Sequence, residues 1–231
     1  MNSLITKPGV HILILLGAIA SFVFFQFFYP YHLFYQEQNQ LFLFSWDYIT
    51  TYLDKPGWLA CLTGDFLTQF YYYRYAGPTI LTLSILMAGY NVRCGVEDTD
   101  IKGTWIPYTI AIAVMTMLAC FSFHYDYRLS SIIAVAGGAN VFRFSTKILV
   151  STRMFVKKLE SLAEQHTSLD GTRLPQWITA FSIFTSMLVC HWFFGCGMWV
   201  YAALVLLGCI KYINKPGNYT RLAAIVIPLF F

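Results

Sequence analysis

"VHILILLGAIASFVFFQFFY", residues 10–29, decides the class of fold. The run carries no Asp, Glu, Lys or Arg, and about 20 apolar residues are what an α-helix needs to cross a bilayer core. Lys7 gives it a weakly positive start, as in a signal peptide. The run is nevertheless bulky with Phe, closes on Tyr29-Pro30 and lacks a small-residue cleavage pattern, so it reads as an uncleaved first span.

The remainder of the chain extends this reading. Only 11% of the 231 residues are charged and 58% are hydrophobic, whereas soluble domains carry about 25% charged residues. We expect an all-α, polytopic transmembrane helix bundle forming a single domain over residues 1–231. Further apolar runs lie at residues 76–90, 105–123, 129–150, 177–194 and 197–213, which makes six spans, with a partial seventh at 222–231. Gly137-Gly138, Asn140 and Arg143 interrupt the fourth run. That span is expected to be short, with Arg143 reaching to the interface.

Basic residues fix the orientation. With the N-terminus inside, Lys55, Arg74 and Arg128 fall outside and the other 12 of the 15 Lys and Arg fall inside. Such a bias is the positive-inside signal, and it implies a cytoplasmic N-terminus. The net charge of +4 therefore records topology and does not call for nucleic acid. The six cysteines include no CxxC pair and sit in or beside apolar runs, so they read as small hydrophobes and not as a disulfide framework.

Two loops stand out. The cytoplasmic loop, residues 151–175, carries Phe155, Leu159 and Leu162 at helical spacing. It is either a short amphipathic helix on the inner leaflet or a solvated connector. The outer loop, residues 31–75, is long for so compact a chain. Tyr48, Ile49, Tyr52 and Leu53 share one helical face, and Leu59, Leu62, Phe66, Leu67 and Phe70 share another. Pro56-Gly57 separates them. Two amphipathic helices lying on the outer membrane surface are expected, anchored by Trp46, Trp58 and Tyr71 to Tyr73.

Four of the 11 acids lie in this outer loop: Glu37, Asp47, Asp54 and Asp65. Glu37 sits about two helical turns beyond the first span, among uncharged hydrogen-bonding neighbours. A carboxylate held near apolar surface is disfavoured as a charge and can serve as a base. The alternative is an acid solvated at the interface. Asp47 is the second catalytic candidate, or else the cap of a helix beginning at Tyr48. Asp54 reads as a turn residue, and Asp65 as a residue on the polar side of its helix. In "HYDYR", residues 124–128, His124 and Asp126 are candidate ligands for a divalent metal. Arg128 is a candidate partner for phosphate. The alternative is a polar turn with tyrosines at the interface. Gln38 and Arg74 complete the candidate substrate contacts, Arg74 being equally suited to a lipid headgroup. No phosphate-loop, dinucleotide, zinc-protease or serine-hydrolase motif is present. No acid stands in the middle of a span, which argues against a proton-coupled carrier.

"YPYHLFYQEQNQLFLFSWDYITTYLDKPGWLACLTGDFLTQFYYY", residues 29–73, resembles the start of an uncharacterised family of bacterial polytopic membrane proteins. That family carries an outer Y-x-E-Q-x-Q-L-F segment, a Pro-Gly turn and an F-L-T-Q-F stretch. "HWFFGCGMWVYAALVLLG", residues 191–208, resembles a later span pair of the same family. The resemblance implies a bacterial inner-membrane protein with longer relatives, so this chain is expected to be their N-terminal part. The layout is also similar to that of C-type glycosyltransferases, which use lipid-linked sugars. The resemblance implies a catalytic acid just after the first span, matched by Glu37 or Asp47, and a second in the next outer turn, matched by Asp126. The usual pair of adjacent acids is absent, since Gln38 follows Glu37. The expected function is a glycosyltransferase-like enzyme using a polyprenyl-phosphate sugar at the outer face, in contact with membrane lipid. The alternative is a non-catalytic scaffold or subunit of an envelope complex with a membrane-protein partner.

Overall fold

In the computed structural model, the structure describes residues 3–39, 42–99, 103, 105–163 and 176–213. All regular structure among them is helical. The helices are α1 (Ser3–Val23), α2 (Pro30–Asn39), α3 (Trp46–Leu53), α4 (Trp58–Thr68), α5 (Ala76–Glu97), α6 (Ile106–Phe121), α7 (Leu129–Ala163), α8 (Gln176–Phe194) and α9 (Gly197–Ile213). A π-helical turn (Phe24–Phe28) follows α1, and a 3₁₀ turn (Gln69–Tyr72) follows α4.

Each of the six apolar runs is helical, but they differ in reach. Ala76–Glu97 and Leu129–Ser151 are long and apolar enough to cross a membrane. The pair Ile14–Phe28 and Pro30–Gln38 makes a third if it is one span, bent by 76°. Ile106–Phe121, Phe181–Phe194 and Gly197–Gly208 are apolar but shorter. At 1.5 Å per residue, a 16-residue helix such as α6 spans roughly 24 Å, less than a hydrocarbon core of about 30 Å. The structure thus supports two or three spans on length and composition, and the expected count of six is not established. The run at 222–231 lies outside the described residues.

The bend has a local cause. Tyr29 N–H donates to the Phe24 carbonyl at 3.1 Å, closing a π-type turn. Tyr29 then leaves helical geometry, with φ −135° and ψ 37°. Pro30 disfavours the α region for the residue before it, so the chain turns there and α2 sets off in a new direction.

Three expectations change. The fourth run is not broken by its glycines, since α7 continues through them to Ala163. A Cβ added to Gly138 would lie 2.1 Å from the Gly197 carbonyl oxygen. The glycine there allows α7 and the start of α9 to meet backbone to backbone. Arg143 does not simply extend to an interface. Its Nε pairs with Asp98, just past α5, at 3.3 Å. The segment at 151–175, read as either a short amphipathic helix or a solvated connector, begins as the continuation of α7 to Ala163, and residues 164–175 lie outside the described residues.

The outer-loop helices divide. No residue of α3 is buried, as befits a surface helix, whereas α4 buries Ala60, Gly64, Asp65 and Thr68. These small residues face α7 and α8, so α4 is wedged into the end of the bundle and does not lie flat. Among the expected anchors, Trp46, Tyr72 and Tyr73 are exposed, but Tyr71 is buried at 2% exposure and Trp58 is half-buried against Phe193, ring centroids 5.5 Å apart. Two apolar cores result. Val92, Val96, Phe142, Cys190, Tyr201 and Leu204 join α5, α7, α8 and α9. Phe25, Leu33, Tyr71, Leu81, Leu118 and Ile132 join the bend, the 3₁₀ turn, α2 and the halves of α5, α6 and α7 nearest that bend.

Candidate functional site

Three connections meet at one end of the bundle: the long loop before α5, the turn at residues 122–128 and the turn at residues 195–196. Tyr29 Oη donates to the Phe123 carbonyl at 3.2 Å. Gln36 Nε2 donates to the Tyr127 carbonyl at 2.8 Å. The rings of His32 and Tyr35 pack on Tyr125, centroids 4.9 and 5.3 Å apart. On the other side, Gly57 N–H donates to the Trp192 carbonyl at 2.8 Å. Gly57 has φ +80° and Gly195 has φ +51°, and a Cβ on Gly57 would sit 3.1 Å from the Gly195 Cα. Glycine at both positions serves the left-handed backbone and the close approach.

The contact at Gln36 also fixes a tautomer. Only an amide N–H₂ can sit 2.8 Å from a carbonyl oxygen as a hydrogen bond, so Nε2 faces Tyr127. The same Nε2 lies 3.2 Å from His32 Nε2, which must then accept. The proton of neutral His32 therefore resides on Nδ1, which is buried without a hydrogen-bond partner.

The residues expected to carry chemistry are distributed around this end. Glu37 is half-buried on α2, next to Gln36, and Gln38 is exposed. The convergence of the first loop on the second turn is made by His32, Tyr35 and Gln36. Asp47 is exposed in the first turn of α3 and is not its cap. The Ser45 hydroxyl takes that role, accepting from Tyr48 N–H at 3.3 Å, so the helix starts two residues earlier than Asp47 capping would place it. Asp47 is left to complement the helix dipole. Arg74 is exposed with its guanidinium 5.6 Å from the Tyr75 ring centroid. His124 and Asp126 are both exposed on the turn. Among the described residues no group of three or more His, Cys, Asp or Glu is gathered as a metal would need. His124 and Asp126 stand two residues apart on this exposed turn without a third such ligand beside them among the described residues.

Asp65 is the acid that the fold singles out. It is 8% exposed, on the buried face of α4 and not on a polar side. Tyr52 Oη donates to Asp65 Oδ2 at 2.6 Å, and the Tyr48 and Tyr52 hydroxyls lie 2.6 Å apart. A chain of two phenols thus runs from the surface of α3 to a buried carboxylate. Burial and then the Asp65 hydrogen bond push the Tyr52 phenol well above its usual range, so it stays a donor. Cys61, one turn earlier, stands among Asp65, Arg128, Ser130 and Lys55. Burial pushes its thiol up, Asp65 adds to this, and Arg128, Ser130 and Lys55 offset it in part. Cys61 is therefore a thiol at neutral pH and no nucleophile. A Cβ on Gly64 would lie 2.7 Å from Ser130, so α4 touches the start of α7 here and brings Asp65 toward the Ser130 side of the Arg128 turn. The sequence does hold a signal for this burial. Ala60, Gly64 and Thr68 stand four residues apart, the small-residue spacing of a closely packed membrane-helix interface, with Asp65 on its flank.

No curated protein and no solved structure matches the chain. A family model matches residues 5–231, nearly the whole length. The chain therefore belongs to DUF6057, a family of unknown function.

Proposed function

We propose that the chain is a multi-pass protein of the bacterial inner membrane, N-terminus inside, whose outer-loop end performs general-base chemistry on a lipid-linked substrate. All six apolar helices cross the membrane, the shorter ones through a locally thinned or headgroup-covered region. The distribution of Lys and Arg supports the orientation. In this reading the chain is glycosyltransferase-like and uses a polyprenyl-phosphate sugar. Asp65 takes the proton of an acceptor hydroxyl as its oxygen bonds to the anomeric carbon. The bond from that carbon to the phosphate oxygen breaks, and Arg128 pairs with the departing phosphate. Glu37, half-buried on α2, is the second acid within this face.

The observation that carries the reading is the buried Asp65 carboxylate, held by Tyr52 at 2.6 Å, with Cys61 between the influence of Asp65 and that of Arg128. The test is sugar release from a panel of polyprenyl-phosphate sugars by the protein in proteoliposomes. Consumption of one donor, lost in Asp65→Asn, is expected. Absence of turnover with every donor sinks the enzymatic reading.

A second reading, a non-catalytic subunit, is favoured by the broad outward face of α8 and α9. Phe181, Leu188, Trp192 and Trp199 are all exposed there. Co-purification of a stoichiometric second membrane protein that covers this face would support it.

A further inference from the structure

A cavity of about 380 Å³ lies between α1, α5 and α6. Its wall is apolar, from Ile14, Phe24, Phe25, Ile85, Met115 and Ala119 among others, and no acid or base lines it. It opens sideways: Gly17, Ala20 and Thr116 line it and are exposed. A Cβ added to Gly17 would meet nothing within 4 Å. Three hydroxyls break the apolar wall, those of Ser21, Thr82 and Thr116, and Thr116 is satisfied by the Ile112 carbonyl. The Ser21 and Thr82 oxygens are both buried and have no hydrogen-bond partner, and Thr82 as a whole is 7% exposed.

These hydroxyls differ from their neighbours. On α5 Thr79, on α6 Thr116 and at the end of α6 Ser122 each donate to the carbonyl four residues back, at 2.6, 2.9 and 2.8 Å. That is the usual way for a membrane helix to satisfy a hydroxyl. Ser21 and Thr82 leave their hydroxyls free beside the cavity, and an unpaired buried hydroxyl is costly. Their depths agree. Ser21 lies eight residues before the bend at Tyr29, roughly 12 Å, and Thr82 six residues after the start of α5, roughly 9 Å. A headgroup layer is about 5–8 Å thick on each side. In a bilayer whose surface meets the bend and the start of α5, both hydroxyls would stand at the top of the hydrocarbon core, a few ångström below the ester carbonyls of surrounding lipids and within reach of one drawn in sideways.

We propose that this cavity is a binding site for one ester-linked acyl chain of a membrane glycerophospholipid, entering sideways between α1 and α6. Its ester carbonyl accepts hydrogen bonds from Ser21 and Thr82. The hydrocarbon fills the apolar space, and the headgroup remains at the lateral mouth, because the Phe24, Phe25 and Phe123 rings pack together at the outer end. The site is independent of the chemistry at Asp65 and needs only that α1, α5 and α6 stand in a bilayer.

The test uses the full chain in vesicles of phosphatidylethanolamine and phosphatidylglycerol, doped with a phospholipid whose chain carries a photoactivatable diazirine. Ester-linked and ether-linked versions of the probe are compared, since the ether has no carbonyl. Labelling of peptides from α1 and α6 is read by mass spectrometry against labelling of the exposed face at Phe181 and Trp199. The wild type should favour the ester probe at the cavity by about fivefold, the worth of one net hydrogen bond, and show no preference at the reference face. Thr82→Val, which keeps the shape, should reduce the preference, and Ser21→Ala combined with Thr82→Val should abolish it. Gly17→Phe should bring cavity labelling down to the reference level. Equal ester and ether labelling in the wild type would overturn the proposal. So would a crosslink from a photoreactive residue at Gly17 to a second copy or to another part of the same chain.

Discussion

Removing the Tyr52 hydroxyl tests whether the phenol chain holds the outer loop together. In Tyr52→Phe the ring remains, and Asp65 loses its 2.6 Å donor while Tyr48 loses its 2.6 Å partner. A hydrogen bond to a charged group contributes about 1.5–3 kcal/mol net. Asp65 is buried, so water replaces the lost donor poorly, and a cost near 2 kcal/mol is expected. The chain joins α3 to α4, and no residue of α3 is buried. The loss should therefore appear as local opening of α3 and not as global unfolding. At about 1.4 kcal/mol per factor of ten, 2 kcal/mol raises amide exchange in Trp46–Leu53 by roughly 30-fold. Exchange in α5 and α7 should stay unchanged. Hydrogen–deuterium exchange with mass spectrometry on the detergent-solubilised chain reads both. Asp65→Asn and the double variant complete a cycle, in which the pair should couple by at least about 1 kcal/mol. Unchanged exchange in α3, an equal rise in every helix, or additive single effects would refute the reasoning.

Other expectations follow from the same contacts. Gly138→Ala places a methyl 2.1 Å from a backbone oxygen and should cost about 3 kcal/mol, seen as loss of monodisperse protein on heating, whereas Gly17→Ala should be silent. The Tyr52 phenol is raised above its usual value of 10.0, so the folded state holds this proton more tightly than the unfolded state. Its contribution is complete below pH about 10 and is lost as pH rises further, so Trp46 fluorescence should change above that pH in the wild type and lack this step in Tyr52→Phe. The Arg143–Asp98 pair is partly exposed on both sides, and a double-mutant cycle there should give less than about 1 kcal/mol.

Much of the helical layout is readable from sequence because its cues are local. The last described helix, Gly197–Ile213, is bounded as the apolar run is. The turn at Pro56-Gly57 and the bend at Tyr29-Pro30 follow from proline and glycine backbone rules. What escapes is decided by neighbours distant in sequence. Gly137-Gly138 looks like an interruption until the backbone of Gly197 is found against it. Tyr71 looks like one of three interfacial tyrosines until the 3₁₀ turn directs it inward beside Gly77. Asp65 is a polar neighbour of a glycine in the sequence; the spacing of Ala60, Gly64 and Thr68 hints at a packed face, and the contact of Gly64 with Ser130 shows that this side of α4 is buried. Ser45 takes the cap from Asp47 because the helix starts two residues earlier than the apolar spacing implies. The site behaves alike: the meeting of the two outer segments is legible from topology, while the residues that make the contacts, His32, Tyr35 and Gln36, are neighbours of the acid chosen from sequence.

The proposal that the outer-loop end works as a general-base site is tested most directly by initial rates of sugar release from the accepted polyprenyl-phosphate donor. Wild type, Asp65→Asn and Glu37→Gln are compared at matched amounts of folded protein. Loss of a general base lowers the rate by about 10²- to 10⁴-fold. The account predicts a fall of that size in Asp65→Asn and a change of less than about tenfold in Glu37→Gln. An Asp65→Asn protein that releases sugar at the wild-type rate would contradict it.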